Sequence, residues 1–510
     1  MTAATLSPTA PLVRPARHVV LALILAALAM APTLAPLPPA IRPLAPLAIA
    51  VLPFAGLIAF SNPFALCLAF VIFSFFRIHE AFPALGPLHI PQLIAIPTLM
   101  VLCWHVLVKR SIELYWSRLL TIFAIFFVFV TLGLPFAVSR PEAVGFYTAN
   151  YWKVAIMTLA IAWLTRRPRD FAIASHAFVV AGVLIAGVAI YNRTHGIGLV
   201  EGTRVTIGRD IQSLLGDPND LSLVLLFPLS FAVSLFARRT SWLSALFGMA
   251  ASVAIVVAII DTQSRGGLLG LMTVFAVYGA RMIKSKALLI TIAVVAAMAL
   301  FAAAGISGRQ SGGSAETDNG IDESSMGRIY AWHAAWNMAL ARPLNGVGLN
   351  NFVINYFFYS PHWDGHNHAV HSTWFDVLGT TGFPGIIAFV AMVVTVIRMS
   401  FLALRKLESV KAPMPARAMG HAVLAGVAGF CVSGTFLTQG FTWSIYVLVA
   451  LGTAIAEYAR RLPDSPQGAK VEASRGPAVC LPGPARGTVP ASRAMGAGRG
   501  ALAMADGLAR

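Results

Sequence analysis

Apolar positions along this chain gather into long runs that neither alternate with polar residues nor keep to one helical stripe. They fall near residues 18–38, 44–60, 63–77, 91–108, 119–138, 150–165, 171–191, 219–237, 242–260, 266–280, 287–305, 376–398, 418–437 and 441–459. A stretch such as Leu119 to Thr131 is apolar on every face, which fits neither a water-facing helix nor the period-two strands of a membrane barrel. With lipid as solvent, each span must satisfy its own backbone, so the runs predict helices. The expected fold is all-α, a polytopic transmembrane helix bundle of about twelve to fourteen spans. The first three runs are the least regular. Pro36, Pro38, Pro39, Pro43, Pro46 and Pro53 crowd them, and the third is short for a bilayer that needs about 20 helical residues.

Composition agrees. Of 510 residues, 58% are hydrophobic and only 11% are charged, against about 25% charged in soluble domains, and the mean hydropathy is +0.77. The net charge of +17 would raise nucleic-acid binding in a soluble protein, but here the basic residues sit in short clusters between apolar runs and form no aromatic-studded surface. Nucleic acid is therefore not an expected partner. Lys109/Arg110/Arg118, Arg166/Arg167/Arg169, Arg238/Arg239, Arg281/Lys284/Lys286, Arg405/Lys406/Lys411/Arg417 and Arg460/Arg461 occupy every second connection. Basic connections stay cytoplasmic, so both termini are expected inside and residues 192–218, 261–265, 306–375 and 438–440 outside.

The chain thus divides into N-terminal transmembrane helices (1–190), a core (191–460) that includes the long outer loop 306–375, and a tail (461–510). The tail is rich in Ala, Gly, Pro, Ser and Arg and is expected to be disordered in the cytoplasm. Arg14 and Arg17 precede the first run with no small-residue cleavage site after it, which reads as an uncleaved span. Cys67, Cys103, Cys431 and Cys480 are scattered without a CxxC pair, so neither a disulfide framework nor a redox site is indicated.

Three outer features exceed what apolar packing requires. Asp261-Thr-Gln-Ser-Arg265-Gly-Gly267 puts an arginine at the outer interface beside two glycines that permit close approach; the plainer alternative is a snorkelling arginine in a tight turn. In the long loop, Gly327-Arg328-Ile-Tyr-Ala-Trp332 opens an amphipathic helix running to about Ala341. Its Trp332, Trp336 and Leu340 face either packs on the bundle or lies in the headgroup layer. Arg328 is expected in its first turn, where a helix N-terminus also favours an anion. Pro343-Leu-Asn-Gly346-Val-Gly348 then ends the helix. Finally, His362-Trp-Asp-Gly-His366-Asn-His368-Ala-Val-His371 carries four histidines and an aspartate. A metal site, a single acid/base histidine and a hydrated loop are the alternatives; the spacing matches no ordinary zinc pattern, so no metal ligand is assigned.

In this order, Ser264-Arg265-Gly266-Gly267, Gly327-Arg328 with Trp332, Pro343 to Gly348, and His371-Ser-Thr-Trp-Phe-Asp-Val-Leu-Gly379 with Gly382-Phe-Pro-Gly385 resemble the O-antigen ligase/polymerase superfamily of bacterial inner membranes. Asp217-Pro218-Asn219-Asp220 adds a match and is similar in particular to the O-glycosylation ligases associated with exosortase systems. The resemblance spans residues 190 to 400. It implies transfer of a glycan from an undecaprenyl diphosphate carrier to a periplasmic acceptor, either a lipid A core, a protein hydroxyl or another glycan, among membrane lipids and with no cofactor, nucleotide sugar or required metal.

Arginine grips phosphate oxygens bidentately and keeps its proton, so Arg265 and Arg328 are the candidates for the diphosphate. The acceptor hydroxyl needs a base, and imidazole titrates near neutral pH. The family pattern, counted back from Asp376, assigns His371, while His366-Asn367 offers the same dipeptide five residues earlier. Arg204, Arg209, Asn219 and His366 are the further substrate-binding candidates. A repeat-unit polymerase of the same family is the nearest alternative. A metal-dependent oligosaccharyltransferase would need outer carboxylates that residues 39–43 lack, and a transporter of anionic solutes would need charges at mid-span, where these runs have almost none.

Overall fold

The structure, a computed structural model, describes residues 60–211, 213–238, 241–303 and 323–463. The apolar runs 18–38 and 44–60 with the connection 39–43, residues 306–322 of the long loop and the tail beyond 463 lie outside the described residues. From residue 63 onward each run expected to span coincides with a helix, and the described residues contain no β-strand. The fold is that of an all-α polytopic membrane protein.

Among the described residues, seven helices are long and apolar enough to cross a bilayer. They are α2 (Ile90–Cys103, continued by a π-helical turn to Val108), α3 (Arg118–Gly133, extended to Phe136), α5 (Pro168–His195), α6 (Pro218–Ala237), α7 (Trp242–Asp261), α12 (Thr373–Ser409) and α13 (Met414–Ser433, extended to Phe436). The other runs fold as α1 (Pro63–Phe75), α4 (Trp152–Leu164), α8 (Arg265–Met282), α9 (Lys286–Ala303) and α14 (Trp443–Arg461). The long outer loop holds α10 (Glu323–Ala341) and α11 (Phe352–Tyr359). At 13 residues, α4 rises only about 20 Å, short of the roughly 30 Å hydrocarbon layer. A π-helical turn at Tyr147–Tyr151 and the helix Arg140–Phe146 lead into it without a break and lengthen the path.

Helix α6 is the centre of the bundle, buried along almost its whole length between α5, α7 and α13. Its serines can be buried because their hydroxyls find carbonyls: Ser230 donates to Phe227 and Ser234 to Ala418 of α13. Helix α13 in turn packs against α8, α12 and α14.

The two ends of the bundle differ in chemistry. At one end Arg166 and Arg461 share Glu113, at 3.0 and 2.8 Å. Arg238 and Arg281 share Glu408, which also accepts from His421 Nε2 at 2.9 Å. The basic connections therefore meet one another, as their alternation along the sequence requires. The connections 192–217, 261–264, 342–372 and 437–442 meet at the opposite end, through the hydrogen bonds described below.

Helix α12 is broken. Gly382 stands at φ 70°, ψ −168°, a region open in practice to glycine alone. The interruption frees carbonyls that lipid cannot satisfy, and the turn after α10 supplies their partners. Val347 N–H donates to Gly379 O (2.9 Å), Gly348 N–H to Thr380 O (3.0 Å), and Phe383 N–H donates back to Pro343 O (2.9 Å). A Cβ on Gly382 would sit 2.5 Å from the Pro343 carbonyl oxygen.

Two expectations for α10 change. It is already helical at Glu323, so Arg328 lies in its second turn rather than its first. Its packed face is Ala331, Ala334, Ala335, Met338 and Ala339, all fully buried, whereas Trp336 and Leu340 remain 46% and 56% exposed and only Trp332 turns inward, stacked on Phe375. Small residues let two helix backbones approach, which in a membrane counts for more than apolar bulk.

Gly382→Ala is expected to lower stability by about 2 kcal/mol or more, from the strained φ/ψ and the clash with Pro343, seen as a lower unfolding temperature in detergent. Gly327→Ala, where a Cβ meets nothing within 4 Å, should be neutral or mildly stabilising. Equal unfolding temperatures for the two variants would refute this account of the kink.

Candidate active site at one end of the bundle

The site is built on helix starts. Asp217 caps α6 by accepting the N–H groups of Asn219 (2.7 Å) and Asp220 (3.3 Å), with Pro218 in the first turn. Ser264 caps α8 by accepting Gly267 N–H at 3.1 Å, which leaves Arg265 as the first helical residue, exposed at the helix start. Gly267 has to be glycine for packing: a Cβ there would lie 2.4 Å from the Ser222 hydroxyl of α6. That contact holds the starts of α6 and α8, and with them Asp217 and Arg265, side by side.

Asn219 joins these caps to the loop 192–217. Its Oδ1 accepts from Arg204 Nη2 (3.0 Å) and from Ser264 Oγ (2.9 Å), and Arg204 Nε donates to the Thr262 carbonyl at 3.2 Å. Arg204 is only 5% exposed and pairs with Glu201 at 3.6 Å. On the other side of α6, Gln439 Nε2 donates to Asp220 Oδ1 at 2.7 Å, and Gln439 N–H donates to Thr373 Oγ1 at 3.2 Å. The web thus reaches the start of α12, two residues from His371.

His371 adopts φ +48°, uncommon for a residue with a side chain and a recurrent feature of functional positions. Its N–H donates to Thr438 Oγ1 at 3.0 Å. Burial pushes its imidazole below the ordinary histidine range; the charge of Arg328 and that of His368 push the same way, and Asp217 opposes them. Arg328 from α10, Asp217 from the head of α6 and the histidine before α12 are therefore within electrostatic reach of one another. A neutral imidazole flanked by a guanidinium can accept a proton from a hydroxyl while the guanidinium holds an anion.

Residues 250–390 match the O-antigen ligase family. This stretch is similar to the O-antigen ligase domain, which supports the O-antigen ligase superfamily. Comparison with curated proteins finds no match. The match supports a membrane glycosyltransferase of the O-antigen ligase/polymerase type, a family that implies lipid-linked glycan substrates.

Arg265, Arg328, His366 and His371 fall inside the segment matched to the O-antigen ligase family, and Arg204, Arg209 and Asn219 precede it. The structure does not gather the four loop histidines. His362 stacks on Tyr330 at 4.8 Å, His368 bonds Asp364 at 2.7 Å, and exposed His366 gives its N–H to the same carboxylate at 3.0 Å. Among the described residues no three His, Cys, Asp or Glu side chains form a group that could hold a metal ion. Arg209 is exposed, its backbone against Gly216. Arg204 and Asn219 are engaged with each other and with the loop at 262–264, which makes them braces of the ligase core.

Sequence reasoning passed over Gln439, Thr438, Asp220 and Asp376 as site residues. The Gly440 N–H donates to Asp376, so segment 437–440 touches both buried carboxylates. The one signal available was that polar Thr438 and Gln439 interrupt two apolar runs on the outer side.

Asn219→Leu should leave the Arg204 and Ser264 donors without their acceptor inside the protein, at a cost of about 2–3 kcal/mol, whereas Asn219→Asp keeps the acceptor and most of the stability. Thermal unfolding of the two variants in the same detergent checks this; an Asn219→Leu protein as stable as wild type would show that the connections are held by other contacts.

Proposed function

We propose that this O-antigen ligase-type enzyme transfers a glycan from an undecaprenyl diphosphate carrier to an acceptor hydroxyl at the periplasmic face of the bacterial inner membrane, with His371 as general base and Arg265 and Arg328 holding the diphosphate. The observation that carries the reading is a half-buried His371 in left-handed backbone, its imidazole held below the ordinary histidine range by burial first and by the charge of Arg328 next, on segments that lie within the family match. The acceptor oxygen attacks the anomeric carbon, the bond from that carbon to the diphosphate oxygen breaks, and the acceptor proton passes to the imidazole Nε2 or Nδ1. The diphosphate leaves with the carrier lipid. Each arginine contact to a charged oxygen is worth about 1.5–3 kcal/mol, and only the part that grows as the bridging oxygen takes up charge accelerates the reaction. This chemistry needs no metal: the two guanidinium groups supply the positive charge that a divalent ion would otherwise bring.

His371 is preferred to His366 because it is the one withdrawn from solvent beside an arginine, whereas His366 is exposed. The outward orientation rests on the positive-inside argument, which puts the paired basic connections in the cytoplasm. A cysteine at Ser360 should therefore react with an impermeant thiol reagent once the outer membrane alone is permeabilised; labelling only after inner-membrane rupture would reverse the orientation.

His371→Ala is expected to lose roughly 10²–10⁴ in transfer rate with donor binding retained, and His366→Ala to remain active. Wild-type rates in His371→Ala would refute the base assignment. Arg265→Lys and Arg328→Lys should lose most activity, because lysine keeps the charge without the bidentate fork.

The pH dependence separates two roles of Arg328. A base whose imidazole is held below its ordinary range stays unprotonated to lower pH, so activity falls only as pH drops through that lowered value. Arg328→Gln removes a charge that depresses the imidazole and should move this acid limb to higher pH, whereas Arg328→Lys should leave the limb in place while lowering the rate. Initial rates across pH for the three proteins test this, and identical limbs in Arg328→Gln and wild type would disconnect Arg328 from His371.

A further inference from the structure

The segment between α13 and α14 is more ordered by hydrogen bonds than a short connection requires. Leu437 O accepts from Thr373 Oγ1 at 2.7 Å, Thr438 Oγ1 accepts from His371 N–H at 3.0 Å, and Gln439 N–H returns to Thr373 Oγ1 at 3.2 Å. Three consecutive residues thus bond the His371 N–H and the hydroxyl of Thr373, two residues further on. Gln439 then extends its carboxamide to Asp220 at 2.7 Å, and Asp220 lies one helical turn from the Asp217 cap that faces His371. Gly440 continues the line to Asp376, and a Cβ on Gly440 would stand 3.2 Å from that carboxylate. Thr373 and Gln439 are fully buried and Asp376 nearly so, while Thr438, Asp220 and His371 are half-buried.

We infer that Thr438 is a positioning residue for His371, and that Gln439 sets the register of its segment against α6, so that the connection 437–440 holds the histidine at φ +48°. The physical reason is local. An isolated histidine gains nothing from the left-handed region, which costs about 1–2 kcal/mol for a residue with a side chain. The hydroxyl of Thr438 takes up the N–H that this conformation turns away from helix α12, and the packing of Thr373 against Leu437 and Gln439 leaves that hydroxyl a single place to stand. Without it, the backbone relaxes toward the extended region that Ser372 already occupies (φ −159°), and the imidazole swings out from Arg328 and Asp217 toward water. The inference rests on His371 acting as the base.

Thr438→Val keeps the shape of the side chain and removes the acceptor; Thr438→Ser keeps the acceptor. Both are purified with His371→Ala as reference, and initial transfer rates are measured across pH together with thermal unfolding. The expected result for Thr438→Val is a 10- to 100-fold lower rate near neutral pH, with the acid limb moved to higher pH as the imidazole regains solvent, and with Arg328, Asp217 and His368 as the charges from which it moves away. Thr438→Ser should restore both rate and limb.

A structural role alone would lower the active fraction equally at every pH and leave the limb in place, and that outcome overturns the inference. So does a Thr438→Val enzyme with wild-type rate and limb while His371→Ala is inactive. Wild-type rates in His371→Ala would instead refute the base itself, and the positioning role with it. Should Thr438→Val fail to fold, Gln439→Asn takes its place: its shorter arm releases Asp220, and the same movement of the limb is expected with Thr438 intact.

Discussion

A break inside a helix at membrane depth is tolerated only where protein satisfies the freed backbone groups, and the break at Gly382 is the constraint on which the outer half of this molecule depends. The six residues Pro343 to Gly348 act as that partner, donating to Gly379 and Thr380 and receiving Phe383. They also take the 136–139 connection onto their other side, through Val138 N–H on Val347 O at 2.9 Å and Asn351 Oδ1 on Ser139 N–H at 2.7 Å. Because the turn ends α10 and the break lies in α12, this exchange fixes one helix against the other. Ala335 then rests on Gly379 and Trp332 on Phe375. Arg328, two turns up α10 from Ala335, is thereby delivered to the start of α12, where His371 stands.

Much of this was legible in the sequence, for reasons that differ by level. Apolar runs locate helices because lipid leaves the backbone no alternative, so α5, α6, α7 and α13 lie where their residues place them. Which face of a helix packs was not legible for α10. Trp332, Trp336 and Leu340 have the spacing of a buried stripe, but in a membrane the same apolar bulk suits lipid, and the alanines between them make the contact. The start of α10 was placed one turn late because Gly327 reads as a boundary, whereas the helix is already formed at Glu323. At the site, the order of Arg265, Arg328 and His371 with their glycines was readable. The web that sets them was not, since Asp220 and Gln439 are 219 residues apart and a lone glutamine in a short connection announces no partner.

The polar groups at the two ends follow different physics. At the basic end, Glu113, Glu408 and Glu457 pair with arginines that remain partly exposed, an arrangement that screening makes worth little for stability; its effect is to gather the cationic ends of α5, α6, α8 and α14 on one side. At the site end Arg204, Ser264, Thr373 and Gln439 are buried and Asn219 half-buried, and each has a protein partner. Buried networks of this kind are expensive when incomplete and rigid when complete. Rigidity is what a transferase needs where a hydroxyl and a diphosphate must meet in line, because loss of orientation costs more than loss of any single contact.

The pairing of His371 with Arg328 also gives the proposed reaction an order. Burial first, and then the guanidinium charge of Arg328, hold the imidazole below its ordinary range, so His371 is a weaker base than free histidine. A diphosphate bound to Arg328 would bring negative charge that offsets the arginine's part of the depression and raises the affinity of the imidazole for a proton. The base therefore strengthens when the donor is present, and the acceptor hydroxyl is activated only where there is a glycan for it to attack. Departure of the lipid diphosphate reverses the balance: the arginine charge is again uncompensated, the imidazolium becomes the stronger acid, and the proton it took leaves readily. In the proposed mechanism the same two residues that serve the transfer would thus also reset the site.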